Sequence, residues 1–218
     1  MLVINFKTYH ESTGANALLL AKLIDQAALN APTEVLIAVQ ALDLESCVRA
    51  VKNVKVIAQT VDAVGYGAHT GHILPEEIKS RGIVGTLINH SEYPKADADL
   101  GASIALAQAV FQHYTIVCSP SYQKTVEIER QWDPDKIAFE PPELIGGDIS
   151  VSSAQPDIIK KVVEISPQRQ ILVGAGVKTL EDVKVSLDLG AIGVLVASGV
   201  VKAADPAAVV KEFLKAWK

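Results

Sequence analysis

The sequence predicts a (β/α)8 barrel of eight parallel strands, and three observations carry that reading. Short apolar runs alternate with helically spaced segments eight times, a repeat of about 27 residues over the 218 of the chain. The apolar runs are continuous rather than alternating, the pattern of strands buried on both faces beneath covering helices. The turn after the first run, Lys7-Thr8-Tyr9-His10-Glu11, carries no glycine, unlike the Gly-rich turn that opens a doubly wound sheet. The barrel is compact beside the ~250 residues usual for the fold.

Taken in order, Leu2 to Phe6 reads as a strand and Ala17 to Leu29 as a helix. Glu34 to Gln40 is the second strand, followed by a helix over Asp43 to Val51 with Asp43 as its N-cap. Val54 to Gln59 is strand-like, and Pro75-Glu76-Glu77 opens a helix with proline early and acids in the first turn. Ile83 to Ile88 is a strand broken by Gly85, with a helix over Asp97 to His113. Thr115 to Cys118 is a strand, with a helix over Ser119 to Arg130 opened by Ser119-Pro120. Lys136 to Phe139 is the sixth strand, and Gln155 to Ile165 its helix. Gln170 to Val173, Thr179 to Leu189, Ile192 to Val196 and Pro206 to Trp217 complete the pattern, with Gly199 to Lys202 as a short extra helix. No linker or composition shift interrupts residues 1–218, so one domain is expected.

Composition narrows the function classes. An apolar fraction of 49% with 21% charged residues excludes disorder. Aromatics at 5% leave the core to Ala, Val, Ile and Leu. A net charge of −5 offers no basic excess for a nucleic-acid backbone. Cys47 and Cys118 are too few for a disulfide framework, and no Cys/His ligand cluster occurs. The first residues lack the basic and apolar regions of a secretory signal. The longest apolar stretches, such as Gly193 to Val201, fall short of the ~20 residues of a membrane span. The expected location is the cytoplasm.

A barrel carries its active site at the C-terminal ends of its strands. Those ends supply Asn5 and Lys7, Gln40, Gln59, Asn89-His90-Ser91-Glu92, Cys118-Ser119, Glu140, Gly174-Ala175-Gly176 and Ala197-Ser198-Gly199. Glu140, ending an apolar strand, is either a desolvated general base or a strand-end acid paired with a cation. His90 is either a catalyst or a satisfied structural imidazole. Lys7, near the barrel axis, needs an anionic partner, and its options are a salt bridge with Glu92 or a Schiff-base role. The glycines after strands 7 and 8 suit a phosphate, because they let backbone N–H groups approach an anion; the alternative is ordinary turns. Pro141 to Asp148 has stiff prolines at one end and glycines at the other, the build of a hinged lid or of a long connecting loop. The loop Asp62 to Leu74 is rich in glycine and apolar residues and reads as a subunit contact. Its His69 and His72 have no third metal ligand nearby.

At this point the sequence resembles the triosephosphate isomerase family. The resemblance rests on Asn5-Phe6-Lys7, Asn89-His90-Ser91-Glu92, Phe139-Glu140-Pro141, the stretch Ile145-Gly146 and the glycines after strands 7 and 8, in the family's order along the whole chain. It implies interconversion of dihydroxyacetone phosphate and D-glyceraldehyde 3-phosphate, in glycolysis and gluconeogenesis, without metal or cofactor. Residue roles follow from the resemblance, and the family is a standard illustration of tuned acid–base catalysis. They give Glu140 as base, His90 as electrophile, Lys7 as charge stabiliser beside Asn5, and Glu92 as support for Lys7. The phosphate falls to backbone groups near Ile145, Gly146, Gly176, Ala197 and Ser198. Pro141, Pro142, Glu143, Leu144 and Gly147 form the lid. The family implies a homodimer, and its archaeal branch, which the short chain resembles, a homotetramer, with Thr70 of loop 62–74 reaching a neighbour. Gly174-Ala175-Gly176 stands where the common branch has Tyr-Gly-Gly-Ser, and Gly147-Asp148 replaces the usual lid exit.

Overall fold

The computed structural model describes residues 1–142, 156–166 and 170–217. Eight strands, β1 (Leu2–Asn5), β2 (Val35–Val39), β3 (Lys55–Ala58), β4 (Gly85–Ile88), β5 (Thr115–Ser119), β6 (Lys136–Phe139), β7 (Gln170–Val173) and β8 (Gly193–Val196), form a closed parallel barrel in chain order. Closure is made by β8 pairing with β1, with Leu2 opposite Val194 and Ile4 opposite Val196. The connecting helices are α1 (Ala15–Ala27), α2 (Leu44–Ala50), α3 (Pro75–Ser80), α4 (Asp97–Phe111), α5 (Tyr122–Trp132), α6 (Pro156–Glu164), α7 (Leu180–Asp188), α8 (Ser198–Val201) and α9 (Pro206–Leu214).

The continuous apolar runs arise because the strands separate two cores. One set of side chains, including Val3, Leu36, Ala38, Ile57, Leu87, Ile116, Ala138 and Leu172, fills the barrel interior. Their neighbours, such as Leu2, Ile4, Ile37, Ile88, Ile137 and Val173, pack outward against the helices. Period-2 alternation therefore persists in direction but not in polarity. The same alternation carries Glu140 inward, two residues beyond Ala138 on the same strand line.

Three local expectations change. Asp43 precedes α2, but its carboxylate does not cap the helix; it accepts from Gly14 N at 3.0 Å and Gln40 Nε2 at 2.7 Å, tying β2 to the start of α1. The Ser119-Pro120 start of the fifth helix moves to Tyr122: Ser119 completes β5, and Ser121 caps α5 by accepting from Lys124 N. Gly85 does not break its strand but begins it. A Cβ there would stand 2.4 Å from the Tyr114 carbonyl oxygen, so only glycine admits β5 that close. The short extra helix after β8 is present as α8.

Two carboxylates pin loops to the frame. Asp25 Oδ1 accepts from the backbone N–H groups of Lys52, Asn53 and Val54 at 2.8, 2.6 and 3.0 Å, locking α1 against the approach to β3. Asp62 closes the base of loop 62–74: its Oδ2 accepts from Ile73 N at 2.8 Å, its N–H donates to Ile73 O, and Lys95 Nζ meets Oδ1 at 3.1 Å. The stretch above this pinch is exposed, with Tyr66 74% accessible.

Candidate active site

The barrel mouth gathers residues from the ends of five strands around one cavity. At the end of β1, Lys7 takes a left-handed backbone (φ 50°), which costs a non-glycine residue roughly 1–2 kcal/mol. A local network offsets that cost. Lys7 N donates to Asn5 Oδ1 at 2.9 Å, and Gln59 Nε2 at the end of β3 donates to Lys7 O at 2.9 Å while lying 3.3 Å from Asn5 Oδ1. The strain aims the Lys7 side chain into the mouth, where Nζ meets Glu92 Oε1 at 2.6 Å. Of the two readings left open for this lysine, the salt bridge with Glu92 is the one formed. The pair is asymmetric: the Lys7 side chain is 9% exposed and that of Glu92 56%.

Asn89, after β4, is also left-handed (φ 63°). Its side chain is anchored on both sides, donating to Cys118 O at 3.1 Å and accepting from Lys95 N at 3.0 Å. His90, the next residue, is buried. Its Nδ1 accepts the backbone N–H of Glu92 at 3.1 Å, an assignment that leaves the ring proton on Nε2. Burial and the nearby Lys7 charge both hold the His90 pKa below its usual value, so the ring is neutral at physiological pH.

Glu140 extends β6 by one ladder hydrogen bond, from its N–H to Ser119 O at 2.8 Å. It is 3% exposed, and Oε1 lies 3.8 Å from His90 Nε2. Burial pushes its carboxyl up to about 7, against the lowering effects of the Cys118 thiol and Lys7. Oε2 has no hydrogen-bond partner among the described residues. An under-solvated carboxylate has enhanced basicity, and here it faces the N–H of a neutral imidazole. The slot for Glu140 is cut by Gly174, where a Cβ would lie 2.4 Å from Glu140 Cγ.

Gly176, Ala197, Ser198 and Gly199 line the far wall of the same cavity, with Tyr9 and Lys178 beside them. Asn5, Lys7, His90, Glu140, Gly176, Ala197 and Ser198 therefore share one cavity, and Glu92 reaches it through Lys7. Ile145 and Gly146 lie outside the described residues, as do Glu143, Leu144 and Gly147 of the expected lid. Pro141 is buried; Pro142 is exposed and borders a second cavity behind Glu140 with Ser91 and Cys118. Thr70 is exposed on loop 62–74, away from this cavity lining. His69 and His72 meet edge to face with ring centroids 5.9 Å apart, and the described residues contain no group of three or more His, Cys, Asp or Glu side chains able to hold a metal. Among the described residues no helix is long and apolar enough to cross a membrane.

The sequence model of triosephosphate isomerase matches residues 1–213. The chain belongs to the triosephosphate isomerase family. It is 43% identical over 219 residues to the triosephosphate isomerase of Methanocaldococcus jannaschii, covering 99% of each chain. It is 42% identical over 210 residues to that of Methanobacterium bryantii, covering 94% of this chain and 92% of the relative. It is 41% identical over 217 residues to that of Methanoculleus marisnigri, covering 98% and 96%. The resemblance to the family's archaeal, short-chain branch is thereby supported along nearly the full length.

Two members of the mouth escaped the sequence reading in their roles. Gln59 stood among the strand-end residues, but its task of donating to the Lys7 carbonyl is visible only once β1 and β3 are two strands apart. Gly174 read as part of a phosphate turn, whereas its missing side chain makes room for Glu140. The period-2 line from Leu172 to Gly174 is the signal that could have found it, because it aims position 174 into the barrel mouth beside position 140.

Proposed function

We propose that this triosephosphate isomerase family member uses Glu140 to move a proton between C1 and C2 of the triose, with His90 polarising the carbonyl. The activity is the interconversion of dihydroxyacetone phosphate and D-glyceraldehyde 3-phosphate, the step shared by glycolysis and gluconeogenesis. The observation that carries the residue assignment is the pairing of a buried Glu140 carboxyl, pushed up to about 7, with a neutral His90 whose Nε2–H is 3.8 Å away. A base with that pKa is ionised in useful amount near neutrality and still binds the proton it removes.

In the forward direction Glu140 removes a proton from C1, the carbonyl oxygen on C2 gains negative charge, and the Nε2–H of His90 donates to it. The enediolate so formed is offset by Lys7, with Asn5 beside it and Glu92 fixing the ammonium in place. His90 passes a proton to the oxygen on C2 and recovers one from the hydroxyl on C1, and Glu140 returns its proton to C2, which leaves a hydroxyl at C2 and the carbonyl at C1. Each transfer uses protein groups alone, so neither metal nor cofactor enters. The substrate phosphate rests on backbone groups near Gly176, Ala197 and Ser198, with Ile145 and Gly146 closing over it. The segment from Pro141 and Pro142 through Glu143, Leu144 and Gly147 acts as the lid, excluding water that would let the intermediate shed phosphate.

The rest of the reading concerns the whole molecule. Residues 1–218 form one barrel domain in the cytoplasm, assembled as a homodimer or homotetramer. Loop 62–74, pinched at its base and exposed above, carries Thr70 to the neighbour's Asn5. A coupled assay with glyceraldehyde 3-phosphate tests the activity, and light scattering tests the assembly. Turnover lost on Glu140→Gln supports the base assignment, and turnover at the wild-type rate in that variant overturns it.

A further inference from the structure

The charges around the cavity leave a puzzle that one side chain resolves. The substrate of the proposed reaction is an anion, and the chain carries a net charge of −5. The lysine inside the mouth, Lys7, is already neutralised by Glu92 at 2.6 Å. Glu140 adds a carboxylate and His90 is neutral. Lys178, also on the lining, brings a second positive charge, so the two lysines and the two carboxylates balance and the inner site presents no net positive charge to an approaching phosphate dianion.

Lys202 follows α8, directly beyond the Ser198–Gly199 wall of the cavity, and its backbone N–H donates to Ser198 O at 3.0 Å. Its side chain forms no ion pair among the described residues. Its ammonium instead sits 4.1 Å from the centroid of the Tyr9 ring, and Tyr9 itself lines the cavity. A cation seated on an aromatic face keeps its charge available, because the ring satisfies it without neutralising it. The ring thus holds a cation that has no ion pair among the described residues against a side chain of the cavity lining.

We propose that Lys202, docked on Tyr9, is the cation that draws the substrate's phosphate dianion into the cavity and holds it there. This rests on the isomerase reading for the identity of the substrate, but not for the anion site itself. Lys202 acts on capture and binding rather than on the proton transfer, and Tyr9 is its positioning residue. A steering charge of this kind raises association at low salt and loses its effect as salt screens it.

The test measures KM and kcat for glyceraldehyde 3-phosphate, and the inhibition constant of inorganic phosphate, at low and high salt. Lys202→Gln is expected to raise KM and the phosphate inhibition constant about three- to tenfold, with a smaller change in kcat and a flatter salt dependence. Lys202→Arg restores both constants, and Tyr9→Leu gives a partial loss in the same direction. Lys160→Gln, which removes the same charge from the exposed face of α6, controls for net charge. Wild-type KM and salt dependence in Lys202→Gln, or an equal loss in Lys160→Gln, overturns the proposal. A fall in kcat with KM unchanged also overturns it, because that is the mark of a structural defect. Failure of the isomerase reading shows separately, as absent turnover in the wild type with phosphate binding still dependent on Lys202.

Discussion

Glu140 occupies space that a side chain at position 174 would need: a Cβ on Gly174 would fall 2.4 Å from Glu140 Cγ and 2.8 Å from its Oε1. The base is thus held from a neighbouring strand by an absence. Its Oε2 has no hydrogen-bond partner among the described residues, so the walls of the slot help to set its position.

Gly174→Ala pushes the Glu140 carboxyl away from His90. A displacement of about 1 Å at a reacting group costs on the order of 100-fold in rate. We expect kcat to fall by about that factor while 2-phosphoglycolate, which mimics the enediolate, still binds. Steady-state kinetics with inhibitor titration reads both, and an unchanged kcat would show that the slot tolerates a methyl group.

Glu140→Asp retracts the carboxylate by one methylene and is expected to lower kcat by about two to three powers of ten, the scale of a lost general base. In the wild type the carboxyl must be ionised to accept a proton. With its pKa at about 7, kcat/KM should climb tenfold per pH unit below that value and level off above it. A profile flat from pH 5 to 8 would remove Glu140 from the base role.

The same group makes an opposite contribution to stability. Its folded pKa lies above the unfolded value, so between about pH 4.5 and 7 the folded state binds more protons than the unfolded one, and stability from this residue falls as pH rises through that window. Glu140→Gln keeps the shape without the charge. Its melting temperature should match the wild type near pH 4.5 and exceed it at pH 8, as thermal unfolding followed at both pH values would reveal.

Asp25 behaves in the reverse sense. Burial raises its pKa, but the backbone N–H groups of Asn53, Lys52 and Val54 outweigh that and hold it below the usual carboxylate range. Its contribution is therefore complete above about pH 4, the unfolded value, and is lost as pH falls through the lower folded pKa. Asp25→Ala is expected to cost about 1–3 kcal/mol at pH 7, the scale of hydrogen bonds to a charged group. Urea melts at pH 7 and pH 3 should show that difference shrinking in acid.

The strands were legible because burial on both faces leaves little ambiguity: Lys136 to Phe139 and Gln170 to Val173 coincide with β6 and β7. Helix starts were less so. Asp43 looks like a cap, but Gly14, 29 residues away, competes for its carboxylate. The site was legible as far as it is local, since a residue two beyond an inward position also points inward, and this locates Glu140. The neutral state of His90 was not legible without the family resemblance, because it is set by burial and by the charge of Lys7 from another strand. Gln59 and Gly174 act across strands, which only the closed barrel brings together.

The pairing of β1 with β8 also orders events during synthesis. Leu2 leaves the ribosome before the other seven strands, yet Val194, opposite it in the ladder, follows only after six more strands have been made. Until then the first strand has one open edge, and a nascent chain halted before Gly193 carries unpaired backbone groups on both β1 and β7. The barrel's last hydrogen bonds join its oldest strand to its newest, so truncation anywhere before β8 leaves no smaller closed version of the fold to fall back on.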